Sequence, residues 1–318
     1  MDTQWIVLLV NKFKLIGLLQ LMRLFTIRYF TLSLLLILSY YAQAQQTRSQ
    51  KLDSLYNDPF FYSTVSAIIL PKGFVEINNF GSLFTANQLF TSQSERADLN
   101  ARLNQFVNIL QVTYGTSATS RFNIGVDLQY SASHLALDPA SSPLKVFSSD
   151  SAYFRQKAFS HAGVHFRWKP FSRNRRLLVQ GSIYQPIDKP DQNQTSLRLQ
   201  VIQVWELSRR LFLYTQPGVT YNIPKGLIGG SVSIPLTALV QFQLKPRLGI
   251  LGILSHSISM SKNAESSFSQ TSWGSQIGAG LQFQPTLRIG FTGFVTQYLA
   301  GKNIGVYRTA NVGMRVII

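Results

Sequence analysis

The residues able to do chemistry in this chain of 318 are few, and none of them is cysteine. Without thiols there is no disulfide, no thiolate nucleophile and no zinc–sulfur site. Four histidines remain. His256 stands among Ser255, Ser257 and Ser259, with Asn263 and Glu265 following, and a Ser/His pair is the minimum for acyl transfer. Along one strand, however, a base and its nucleophile share a face only when they differ by two positions, and those positions hold Leu254 and Ile258. His161 and His165 share a face but lie ~13 Å apart along a strand, too far to share a metal. The chain also lacks a phosphate-cradling glycine loop, a G-x-S-x-G elbow and an acidic calcium loop. The expectation is a non-enzyme, with no catalytic residue, no cofactor and no metal.

The elements that must position these residues follow from periodicity. Residues 22–44 read as a secretory leader: Arg23 and Arg28, an apolar run through Ser39, then Ala42-Gln43-Ala44 as a small-x-small cleavage pattern. The leader is taken as 1–44, starting at Met1 or at Met22. A segment over 45–72 follows, and its apolar stretch Pro59–Leu70 is expected to plug or line a periplasmic mouth. From residue 73 onward, segments of ten to sixteen residues alternate apolar with polar or small side chains. Between Gly226 and Leu244, serine, threonine and glutamine occupy odd positions from 231 to 243, while valine, isoleucine, leucine and phenylalanine occupy even ones. Period two means strands, and Pro235 argues further against a helical span.

Short turns that end in arginine alternate with longer loops, as in outer-membrane barrels. The count is twelve strands, near 73–87, 101–116, 121–135, 153–168, 175–187, 195–206, 210–222, 227–243, 247–260, 268–283, 287–298 and 303–318. The fold class expected is therefore all-β: a transmembrane antiparallel up-and-down β-barrel over 73–318, after a cleaved signal peptide. Strands this long are unusual in a soluble sandwich. Aromatics near strand ends (Tyr114, Tyr130, Trp168, Trp205, Tyr221, Trp273, Phe283, Tyr307) suit girdles at two membrane interfaces.

Charge is sparse, 14% of residues, yet strongly basic, with 30 Lys+Arg against 13 Asp+Glu. Four of the basic residues and one acidic residue lie in 1–44, so the rest carries +14. The basic residues are scattered, which excludes a nucleic-acid surface. Parity puts Glu76, Asp127 and Glu206 on the inner face, with Lys157, Arg167, Arg198, Arg210, Arg247, Arg288 and Arg315. His161 and His165 share that face. These twelve residues are the candidates for lining the lumen and selecting solutes. Arg210, Arg247, Arg288 and Arg315 lie near periplasmic strand ends, where they would form a basic ring at the mouth or anchor the barrel at headgroup level.

The hairpin Tyr114-Gly115-Thr116 … Ser120-Arg121-Phe122-Asn123-Ile124-Gly125-Val126 … Tyr130 resembles a family of transporter barrels described as similar to a meta-pathway phenol-degradation protein. The turns Leu207–Leu211 and Pro285–Gly290 echo it, and the resemblance extends over residues 73–318. It implies transport of small aromatic compounds. The expected function is a channel or transporter in the bacterial outer membrane, passing small anionic or aromatic solutes. Its expected partners are those solutes, with outer-membrane lipid and lipopolysaccharide around the wall. A lipid-modifying hydrolase and a structural or secretion-accessory barrel are the alternatives.

Overall fold

A strand that alternates apolar and polar side chains offers one face to lipid and one to an interior, and only closure satisfies the backbone of its edges. The computed structural model describes residues 68–116, 121–148, 154–171, 176–188, 194–225, 229–262, 270–286 and 288–318. Among these, twelve long antiparallel strands run β1 (Val75–Phe90), β2 (Arg96–Gly115), β3 (Phe122–Ala136), β4 (Phe154–Trp168), β5 (Leu177–Pro186), β6 (Ser196–Ser208), β7 (Leu211–Asn222), β8 (Ser231–Lys245), β9 (Leu248–Ser261), β10 (Gln270–Phe283), β11 (Ile289–Lys302) and β13 (Arg308–Ile317). A two-residue strand, β12 (Ile304–Gly305), stands between the last two. β1 pairs with β2 on one side and with β13 on the other, so the sheet closes. The leader, and Pro59–Ala67 of the expected plug, lie outside the described residues.

The last expected strand is interrupted. Asn303 takes a positive φ of 52°, the chain turns after β11, and Tyr307 is carried between β12 and β13. There its ring meets Phe84 and Tyr298 edge-on, at 6.2 and 6.0 Å between centroids. Both partners point inward, so Tyr307 closes over the lumen and does not belong to an interfacial girdle. Tyr114, Trp168, Trp205 and Phe283 are exposed on the outer face at the short-turn end. Large apolar side chains cover the wall between the rims; Val126, Val295 and Val312 are 56–65% exposed. Such a surface is a liability in water and a lipid contact in a bilayer. The molecule is an outer-membrane β-barrel.

Two interior features depart from simple alternation. Between β3 and β4 the register slips: Gln129 pairs with His161 but Tyr130 pairs with Phe159, leaving Ser160 as a bulge. Above the bulge the parity inverts. Lys157 pairs with Ala132 on the outer face, where its Nζ donates to the carbonyls of Phe147 and Ser148 at 2.8 and 2.9 Å. Lys157 is therefore not a lumen residue, which corrects the parity reading.

The second departure is an apolar interior. Leu178, Ile202, Val204, Phe212, Tyr214, Leu239, Leu251 and Ile253 point inward from β5–β9 and form a buried cluster with Ile69. Ile68, Ile69 and Leu70 are themselves buried, Leu70 completely. Asn123 holds Leu70 by both amide ends: the Leu70 N–H donates to Oδ1 at 2.8 Å, and Nδ2 donates to the Leu70 carbonyl at 3.0 Å. Beside this clasp, a Cβ at Gly115 would run into the Pro71 carbonyl, so only glycine lets the two backbones approach.

Candidate functional site

β1, β3 and β4 carry Glu76, Asp127, His165 and Arg167, four of the residues that the sequence placed inside. Glu76, wholly buried on β1, receives Arg167 Nη1 from β4 at 2.6 Å and Asn78 Nδ2 at 2.7 Å. Arg167 also donates through Nε to Gln180 Oε1 on β5 at 3.0 Å. One level away, His165 Nδ1 lies 2.7 Å from Asp127 Oδ1, and His165 Nε2 lies 2.9 Å from Thr113 Oγ1. An ionised carboxylate only accepts, so Nδ1 donates to Asp127. A side chain at position 125 would collide with the His165 ring, so Gly125 lets the imidazole lie across β3.

Arg315 is buried on β13, opposite Asn78 on β1 and Gly290 on β11. Arg198 faces inward from β6, with its guanidinium 5.3 Å from the centre of the Tyr184 ring. His161 faces inward below the bulge, paired with Gln129. Water-excluded charges need opposite charge and hydrogen bonds, and this cluster supplies both locally.

The expected basic ring is split. Arg315, two residues before the end of β13, is buried inside the barrel. Arg210 and Arg247 are exposed in turns, where Arg247 Nη1 donates to the Pro285 carbonyl at 3.1 Å, and Arg288 is half-buried in its turn. Glu206 lies at the same rim in a half-exposed pair with Arg176, 2.7 Å apart. An exposed pair of this kind contributes little to stability, ~0–1 kcal/mol.

Two cavities lie in series along the lumen. The one nearer the periplasmic end, about 270 Å³, is lined by Asn78, Gln111, Gln180, Gln200, Gln216 and Gln282 with Arg167 and Arg315. Gln216 Nε2 donates to Gln200 Oε1 across its wall at 2.9 Å. The second, about 290 Å³, is lined by Phe80, Phe84 and Phe294 with Thr237, Ser255, Gln276, Thr296, Thr309 and Asn311. Phe80 and Gln216 line both. The glutamines went unremarked in the sequence because they are uncharged; their recurrence on inward parity was the available signal.

On the outer wall, His256 Nδ1 lies 2.8 Å from Ser275 Oγ on β10, with the Trp273 ring 5.9 Å away. Ser275 escapes a search along one strand because it arrives by cross-strand pairing. The three serines near His256 in sequence do point away from it, as parity requires. Among the described residues no hydrogen bond orients the second ring nitrogen of His256, and no cluster could hold a metal.

No protein-family model and no curated protein matches the chain. Solved structures do. The COG4313 outer membrane channel from Pseudomonas putida F1 is similar with a TM-score of 0.63 at 11% identity, over 80% of this chain and 99% of that one. The NanC porin is similar with a TM-score of 0.42 at 8% identity, over 76% and 98%. The translocator domain of the autotransporter NalP from Neisseria meningitidis gives 0.45 at 8%, over 87% and 96%. At these identities the likeness is one of fold.

Proposed function

We propose that this barrel passes small solutes across the outer membrane. The observation that carries the reading is the pair of cavities in series, which share Phe80 and Gln216 and lead from the aromatic-lined chamber to the arginine-floored one. Arginine in the floor favours anions, and Phe80, Phe84 and Phe294 offer apolar contact on the way. That combination suits the small anionic or aromatic solutes implied by the sequence and by the phenol-degradation-like resemblance.

Ile68–Leu70, clasped by Asn123 and seated on the apolar cluster, closes the periplasmic half in this reading, and passage requires it to shift. A barrel of twelve strands stands between the side-chain-filled eight and the open sixteen. One internal segment is then enough to close it. Liposome swelling with the purified chain tests the proposal: small anionic solutes are expected to enter faster than protein-free leakage allows. Swelling no faster than in empty liposomes, for every small solute tried, would reject it.

The hydrolase alternative has one feature in its favour, the His256–Ser275 pair. The pair lacks an orienting partner, and its neighbours across β8 and β9, Leu236, Leu254 and Ile258, are apolar. It reads as a polar pair near the lipid interface, beside Trp273.

A further inference from the structure

We infer that the glutamine-lined chamber is a binding site for a small polyhydroxy carboxylate. This rests on the passage reading and names the solute class that the chamber selects.

The first ground is charge. Along the inward faces of the strands, away from the turns, the described charged side chains are Arg167, Arg198 and Arg315 against Glu76 and Asp127. Three guanidiniums against two carboxylates leave at least one positive charge along the lumen. A buried excess of this kind is costly, and an anion entering the chamber removes it. Both guanidiniums that reach the cavity wall, Arg167 and Arg315, belong to its lining, whereas neither carboxylate does. A solute in the chamber therefore meets the cations and not their counter-ions. The planar guanidinium presents paired donors that match a carboxylate.

The second ground is the wall. Its five glutamines are spread around the barrel on β2, β5, β6, β7 and β10. A side-chain amide has two donor hydrogens and an acceptor oxygen, so Gln180, which accepts from Arg167, keeps its two donors, and Gln216, which donates to Gln200, keeps its acceptor. Amides at this density suit a ligand whose remaining atoms are hydroxyls, each able to give and accept a hydrogen bond. Gluconate and sorbitol are both open six-carbon polyols and differ chiefly in the carboxylate, so their comparison isolates the charge.

The test is calorimetric titration of the full chain in detergent with sodium gluconate and, separately, with sorbitol. Gluconate is expected to bind at least tenfold more tightly than sorbitol, the difference that a charge-assisted hydrogen-bond pair typically makes. Arg315→Gln is expected to abolish that preference. Because a buried arginine can be needed for folding, Gln111→Leu and Gln216→Leu are tested beside it. Each is expected to weaken gluconate roughly three- to tenfold, the worth of one hydrogen bond.

Equal affinity for the two ligands, no gluconate binding, or gluconate binding unaltered in all the folded variants would overturn the assignment. Liposome swelling on the same preparations separates the two readings. Solute entry without gluconate binding overturns the site alone, and gluconate binding without entry of any solute overturns passage alone.

Discussion

At Glu76 a carboxylate with no solvent exposure holds Arg167 at 2.6 Å and stands close enough to Arg315 to stabilise its charge. Removing one member of a buried pair leaves the other uncompensated, which typically costs about 3–5 kcal/mol. Glu76→Gln keeps the shape and removes the charge. It is expected to lower the unfolding midpoint in denaturant and to increase preference for anions over cations. An unchanged midpoint would mean that water reaches Arg167. At Asn123 the cost is local: Asn123→Ala strands the N–H and carbonyl of Leu70, about 1–3 kcal/mol for each buried group. The clasp should loosen while the barrel stays folded, raising single-channel open time in bilayers. His256 and Ser275 are expected to be neutral: replacing either with alanine should leave phospholipid hydrolysis at the level of a protein-free control. Hydrolysis above that level by the unaltered chain, lost on Ser275→Ala, would restore the enzyme reading.

The strands themselves can be tested residue by residue, because a chain without cysteine accepts single cysteine probes on a clean background. Ser255→Cys and His161→Cys are expected to react with a membrane-impermeant maleimide, whereas Leu254→Cys and Phe159→Cys should react only with a lipid-soluble one. Phe159 is decisive, since without the bulge at Ser160 it would share the lumen face with His161.

This marks the boundary of what the sequence makes legible. Period-two alternation is strong wherever the outer face is apolar and the inner one polar, so the strand count and most strand spans could be read directly. The Ser160 bulge leaves no composition signal, and it misplaced Lys157. Nor does alternation reveal an inward apolar residue such as Leu251 or Ile253, which looks like one more member of a hydrophobic run. The Arg315 side chain was assigned to the rim because it lies three residues from the end of the expected strand 303–318; the structure buries it there, opposite Asn78 on β1. Pairing across strands brings together Glu76 with Arg167 and His256 with Ser275, and it depends on barrel closure and shear.

For the whole molecule, the basic balance now has a distribution. Arg210 and Arg247 are exposed at the periplasmic turns and Arg288 is half-buried there, while Arg167, Arg198 and Arg315 lie along the lumen and outnumber its two carboxylates. Inward apolar residues of β5–β9 form a buried cluster on which Ile69 is seated, beside the charged pairs Glu76–Arg167 and Asp127–His165 on β1, β3 and β4. Among the described residues, Ile68–Leu70 is held by Asn123 and by the apolar cluster under Ile69, and not by pairing into the closed sheet. The direct test is planar-bilayer conductance of the chain 45–318 beside the chain 72–318. The full chain is expected to show small, intermittent openings, and the shortened one a steady, larger and anion-preferring conductance. Silence from both chains in bilayers would contradict passage through the lumen.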